Sequence, residues 1–324
     1  MASESVRSKA SQPSRLIALK DVAWRVVTAT VGACLRHRVT GLAAEAAFFA
    51  ILSLPPLVFG LAASISYIVI RVDPTQIESF QTAVIDLSGK VMTPEGVSKI
   101  VEPTLRQVLV EQSRFDVISI GFVLSLWSGS RALNVFVDTI TIMYGLGGRR
   151  GIVRTRMLSF SLYVIGLVVG VIVLPLVLAG PRLVDKFLPQ RLDFLNTLYW
   201  PIVIVFSIAF LTTLFHLSVP VRSSWRYDVP GAALAFAMWV LGSYLLRLIL
   251  QTATTSIYGP LAAPIAVLLW LYLTALAVLV GAALNAAFDR VWPEPSTAGA
   301  RLELLRRLRR GAPSSPRRAE IEDL

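Results

Sequence analysis

Six stretches of this chain, at about 42–70, 116–144, 156–180, 198–219, 230–252 and 261–288, are apolar for longer than the roughly 18 residues that a bilayer-spanning helix requires. No other feature limits the fold so sharply. In hydrocarbon every backbone N–H and C=O must be paired inside its own element, so only a helix or a closed barrel can cross. The runs are too long and too uniformly apolar for the roughly ten-residue alternating strands of a barrel. The expected class is therefore all-α: a polytopic membrane protein with about six transmembrane helices in residues 42–288. Charged residues make up 16% of the 324, short of the quarter or so found in soluble domains.

The basic residues set an orientation. A net charge of +11 would suggest nucleic-acid binding in a soluble protein, but here the charges sit beside the runs. Of the 31 Lys+Arg, 21 fall in segment 1–41, the loops 145–156 and 220–229, and the tail 289–324. Eight fall in 71–115 and 181–197, and none in 253–260. The positive-inside rule then puts both termini in the cytoplasm, and an even number of spans agrees. The first run, from Leu42, is too long for the h-region of a cleavable leader. A single cysteine, Cys34, excludes an intramolecular disulfide.

Three segments outside the runs are amphipathic. From Arg15 to Arg38, Leu16, Leu19, Ala23, Val26, Thr30 and Cys34 recur at helical spacing, with Lys20, Arg25, Arg36 and Arg38 off the stripe. Two readings stand: a helix lying on the inner membrane surface, or a helix packed on the bundle. In 71–115, Asp73-Pro74 and Thr93-Pro94 each read as an N-cap followed by Pro at the first helical position. A helical pair over the outer mouth is expected there, to shield it or to gate it. In the tail, Leu302, Leu305 and Leu308 interleave with Arg301, Arg306, Arg307, Arg309 and Arg310, a short basic helix for an anionic inner leaflet. No aromatic lies among those arginines, so nucleic acid is not an expected partner. The Pro/Ser/Arg stretch that follows is expected to be disordered.

The strings RVTGLAAEAAFFAILSLPPLVFG, LWSGSRALNVFVDTITIMYG, VPGAALAFAMW and SIYGPLAAPIAVLLWLYL, in this order between about 38 and 290, resemble the YihY/BrkB family of bacterial inner-membrane proteins. The resemblance implies a multi-pass helical protein of the bacterial cytoplasmic membrane. Members have carried the labels virulence factor and "ribonuclease BN", and transport and lipid-handling roles have been suggested for them. A metal-dependent nuclease needs a His/Asp cluster to hold metal and activate water. This chain has two histidines, His37 and His216, on different elements, and no HxHxDH, P-loop, GxSxG or HExxH string. No catalytic residue, metal-ligand set or cofactor is expected. Family members often carry Gly-Ala-Glu-Leu-Asn near the end of the last span. Here it is Gly281-Ala282-Ala283-Leu284-Asn285, so a role tied to that glutamate does not carry over.

Charges inside the runs need a reason, because each costs about 2.5–3.5 kcal/mol even on the lenient insertion scale. Arg247, near the outer end of the fifth, can snorkel. His216, near the inner end of the fourth, reads as a tolerated interfacial residue. Trp127, Arg131, Asn134 and Asp138 follow spacings of four, three and four, so they share one helix face. That face is expected to look into the bundle, towards Glu45 of the first span. Ser128-Gly129-Ser130 precedes Arg131 directly. Gly129 between two serines can break the helix, leaving Ser130 to cap a half-helix aimed, with the guanidinium, at an anion. The plainer alternative is an unbroken helix in which Arg131 pairs with Glu45 or Asp138. Ser53-Leu54-Pro55-Pro56 is expected to kink or interrupt the first span. Gly166 and Gly170 form a GxxxG for close packing within the bundle or between subunits.

The expected function is transport or handling of an anionic or amphipathic ligand, such as a lipid of the cell envelope. Its site would comprise Arg131, Asn134, Asp138, Glu45, Trp127, Ser128 and Ser130, with helix breaks at Pro55, Pro56 and Gly129. The rival is a non-catalytic membrane scaffold that recruits envelope proteins through its outer loop and basic tail. Substrate, coupling ion and oligomeric state stay open.

Overall fold

The computed structural model describes residues 15–72, 115–179, 194–221, 224–252 and 262–311, with isolated positions between 73 and 114. Among the described residues the elements are helical. They are α1 (Arg15–Arg36), α2 (Val39–Val72), α3 (Phe115–Met143), α4 (Ile152–Ala179), α5 (Phe194–Ser218), α6 (Val229–Thr252), α7 (Ala262–Val291) and α8 (Pro295–Gly311), with a 3-10 turn at Trp225–Asp228 before α6. The helices α2 to α7 coincide with the six apolar runs. By length and apolarity alone, four described segments can cross a membrane: Ile152–Gly170, Tyr199–Ser218, Trp225–Leu250 and Pro264–Val291. Val22–Arg36 with Val39–Leu54, bent by 60°, makes a fifth if taken as one broken span. The helical pair expected in 71–115 and the Pro/Ser/Arg stretch at the end of the tail lie outside the described residues, isolated positions aside.

The bend between α1 and α2 is made at Arg38, whose φ of 51° is left-handed. Its N–H still reaches Leu35 O at 3.2 Å, while Gly41 N–H returns to Arg38 O at 2.9 Å and starts α2. Of the two readings of α1, the packing on the bundle is observed. Val26, Thr30 and Ala33 are buried, in a helix that packs against α7. The Thr30 hydroxyl is satisfied by Val26 O at 2.8 Å. On the other side Trp24, Val27, Val31 and Leu35, spaced three, four and four, stand exposed. Such an apolar row on a packed helix is suited to the membrane boundary.

Helix α7 is the hub, packed against α1, α2, α3 and α6. It can be approached closely because its inward residues are small: Ala275, Ala282, Ala283 and Ala286 are all in the buried core. Lipid tails are as apolar as leucine, so helix pairs in a membrane gain from close backbone contact rather than from burying oil. The closest crossing is between α6 and α7. A Cβ on Gly231 would overlap Gly281 O and Asn285, and one on Gly281 would overlap Gly231 O. Within this chain Gly166 of the anticipated GxxxG makes no such contact, since a Cβ there would meet nothing within 4 Å. The core also includes Val39, Ala43, Val135, Ile140, Met143, Phe215 and Ala300. It therefore lies at the end of the bundle where the 144–151 and 219–228 turns, α1 and α8 gather. Both terminal helices sit at that same end.

Candidate functional site

Helix α3 runs unbroken through Gly129, which corrects the expected break. The glycine serves contact instead: a Cβ there would overlap the ring of Tyr163 on α4. The flanking serines cap no half-helix. Ser128 donates to Phe49 O on α2 at 3.0 Å, and Ser130 donates back to Trp127 O at 2.8 Å. Both hydroxyls are thus satisfied by carbonyls while nearly buried, at 3% and 8% exposure. Helix α2 likewise continues through Pro55 and Pro56, so neither proline ends it. Each lacks an N–H and so leaves a carbonyl four residues earlier, on Ile51 or Leu52, without its usual helical donor.

The face carrying Trp127, Arg131, Asn134 and Asp138 does not look into the bundle, as spacing alone had suggested. Trp127 is 55% exposed, Asp138 is exposed, and Arg131 and Asn134 are half-buried. The reason is competition for the inward positions. Ser128, Ala132, Val135, Val137, Thr139 and Ile140 are among the buried ones, and they leave the polar stripe on the remaining face. Neighbouring helices flank that stripe. The Arg131 guanidinium stacks on the Phe49 ring of α2 at 4.6 Å, and Asn134 Oδ1 accepts from Ser159 of α4 at 3.4 Å. Glu45, one turn before Phe49, is exposed. The result is an open groove between α2 and α4 with α3 as its floor.

Neither Glu45 nor Asp138 pairs with Arg131; the ion pairs among the described residues lie elsewhere. Instead the cation–π contact with Phe49 holds the guanidinium, and Arg131 Nε is buried without a hydrogen-bond partner. The phenol oxygen of Tyr163 is also buried and unpartnered. Of the expected residues, Arg131 and Asn134 are thus held against α2 and α4 at this groove, Trp127, Asp138 and Glu45 are exposed, and the Ser128 and Ser130 hydroxyls are spent on carbonyls.

A second polar cluster, at the core end, was not evident from spacing. Asp228, 2% exposed, accepts the Tyr144 hydroxyl on Oδ1 at 3.1 Å, and its Oδ2 lies 3.3 Å from His216 Nδ1. His216, in the last turn of α5 with its side chain 27% exposed, thus borders a buried network. Asn285 closes the cluster: its Nδ2 donates to Asp228 O at 2.8 Å, and its Oδ1 accepts Gly231 N–H at 2.7 Å. Ala283, which replaces the family's acid, is fully buried in the apolar core, where a carboxylate would lack a partner. Arginines cap the nearby helix ends. Arg150 spans Leu217 O, Ser218 O and Val219 O at 2.9–3.1 Å. Arg290 and Arg301 reach Met143 O and Tyr144 O at 3.1 and 2.7 Å. Each guanidinium meets carbonyls that the end of a helix leaves unpaired. The sequence signals were an Asp just before a span and a His and an Asn inside two others, and nothing in their separation joins them.

Among the described residues no three His, Cys, Asp or Glu side chains are grouped to hold a metal ion. The family model described as Virulence factor BrkB matches residues 30–303. Among curated proteins, a ribonuclease-like protein, YfkH, of Bacillus subtilis (strain 168) is 23% identical over 264 residues, covering 78% of this chain and 91% of that protein. No solved structure matches the chain.

Proposed function

This chain belongs to the virulence factor BrkB family of membrane proteins, and we propose that it is a transporter or lipid-handling protein for an anionic, amphipathic ligand. One observation carries the reading: Arg131, midway along α3, has no carboxylate counter-ion among the described residues and keeps Nε buried and unpartnered. A cation at such a depth is costly and ordinarily pairs. An oxyanion would supply the missing partner, and the planar guanidinium offers it two parallel donors. The groove faces the side of the bundle, with Trp127 exposed one turn outward. A ligand arriving there comes from within the bilayer, which favours a lipid over a soluble anion.

The test is reconstitution into liposomes with labelled anionic lipids and organic anions. Arg131→Gln should cost only the cation–π contact, about 0.5–2 kcal/mol, yet abolish ligand movement. Arg131→Lys should fold as well and still be impaired, since a point charge lacks the fork. If Arg131→Gln moves ligand as wild type does, the groove is not the site. The scaffold reading would then lead, because the same exposed stripe could receive a helix of an envelope partner.

A further inference from the structure

The turn between α3 and α4 brings three arginines into six residues, and the fold gathers them around a cleft. Arg149, Arg150 and Arg154, with Leu158 and Pro220, line a cavity of about 330 Å³ beside the first turns of α4 and the chain leaving α5. The turn can fold this tightly because Gly145 and Gly148 take φ of 71° and 80°, left-handed values at which a side chain would be strained.

The three guanidinium groups are not equally engaged. Arg150 is committed through both amino nitrogens to the carbonyls at the end of α5, which fixes it as a rigid wall of the cleft. Arg149 meets Glu303 at 3.4 Å, a carboxylate that Arg307 also holds at 2.6 Å. Arg154 is exposed and forms no ion pair among the described residues. The cleft thus gathers three cations against one shared acid. The N-terminus of α4 adds the positive end of a 28-residue helix. A cavity of this size, with a few convergent polar groups beside apolar walls, suits a headgroup-sized ligand.

We propose that this cleft binds a phosphate-bearing anion: the headgroup of an anionic phospholipid or free phosphate. Basic pockets between spanning helices, at the membrane edge, are built for such groups. Two features favour the lipid. Leu158 and Pro220 in the wall are apolar. Beyond Arg154, the same face of α4 continues through Leu158 to exposed Ile165 and Val168, a track along which an acyl chain can lie. This site is separate from the Arg131 groove and does not depend on it.

Full-length protein in neutral detergent would be titrated with phosphatidylglycerol and phosphatidylcholine, and bound lipid counted by native mass spectrometry. Inorganic phosphate would be tested separately by thermal shift. Phosphatidylglycerol should bind more tightly than phosphatidylcholine. Arg154→Gln, which breaks no internal pair, should weaken it roughly fivefold, and Arg149→Gln with Arg154→Gln should weaken it further. Arg226→Gln, which removes one exposed charge from the other short turn, should leave binding unchanged. A phosphate shift lost in Arg154→Gln, without selective lipid binding, would assign the cleft to soluble phosphate. Equal binding of both probes to wild type and Arg154→Gln, or equal weakening by Arg226→Gln, would overturn the proposal.

Discussion

Asp228 and Arg131 are two ionisable residues handled in opposite ways. Asp228 is nearly inaccessible and has a donor or partner for each oxygen, in Tyr144 and His216, while Asn285 engages its carbonyl. Replacing it by alanine would strand the buried Tyr144 hydroxyl and the His216 ring. Each stranded polar group costs about 1–3 kcal/mol. Asp228→Ala should therefore lower the melting temperature in detergent markedly, whereas Asp228→Asn, which keeps the shape and one acceptor, should lower it less. Indistinguishable melting of Asp228→Ala and wild type would show that the network contributes nothing to the fold. Arg131, by contrast, has an aromatic face but no carboxylate partner among the described residues. Its removal should therefore be mild for stability and severe for ligand movement.

At the scale of elements, the contacts that define the bundle are made by small residues and by helix ends. The crossing of α6 on α7 leaves no room for a side chain at Gly231, and the obstructing Gly281 O is backbone that cannot swing aside. Gly231→Ala should thus cost about 1–3 kcal/mol or more by overpacking, while Gly166→Ala, facing open space, should be nearly neutral. Comparing the two melting curves tests the crossing directly. Helix α8 is tied down differently. Asp289 binds Arg301 and accepts the Thr297 hydroxyl at 2.6 Å, while Glu303 bridges Arg149 and Arg307. Arg307 beside it, with help from Arg149, holds the Glu303 carboxyl below its ordinary value. A lowered carboxylate pKa means that the bridge contributes at neutral pH and is lost as pH falls through that lowered value. Protection of the amides in 145–151 and 295–307, taken relative to their intrinsic exchange rates at each pH, should accordingly fall on acidification, and Glu303→Gln should give the lower protection already at neutral pH. Because the bridge is exposed, high salt should weaken it too.

For the whole molecule, the arrangement puts α1, α8 and both short turns at one end, the end that the arginine count assigns to the cytoplasm. In a background with Cys34 replaced by Ser, cysteines at Ser79 and Thr255 should react with an impermeant reagent in intact cells. One at Gly148, in the exposed turn, should react only once the membrane is breached. External labelling at Gly148 would reverse the orientation and put the arginine cleft on the outer surface.

The sequence by itself determined the all-α class and where along the chain the helices lie. A bilayer imposes a local rule, that each backbone polar group be paired inside its own helix, and a local rule can be read from runs of residues. The helices α2 to α7 follow from it, as do α1 and α8 from their stripes. The direction each helix faces is another matter. In water an apolar stripe marks the core, but in a membrane the outward face is apolar too, so the spacing along α3 puts Trp127, Arg131, Asn134 and Asp138 on one face without saying which way that face looks. Tertiary packing decided that direction by filling the inward positions with Ala132, Val135 and Ile140. It likewise decided that Gly129 is a contact rather than a break, because the ring it accommodates, Tyr163, belongs to another helix. Asp228, Tyr144, His216 and Asn285 meet across four separate segments of chain, and partners so distant in sequence are chosen only when helices dock.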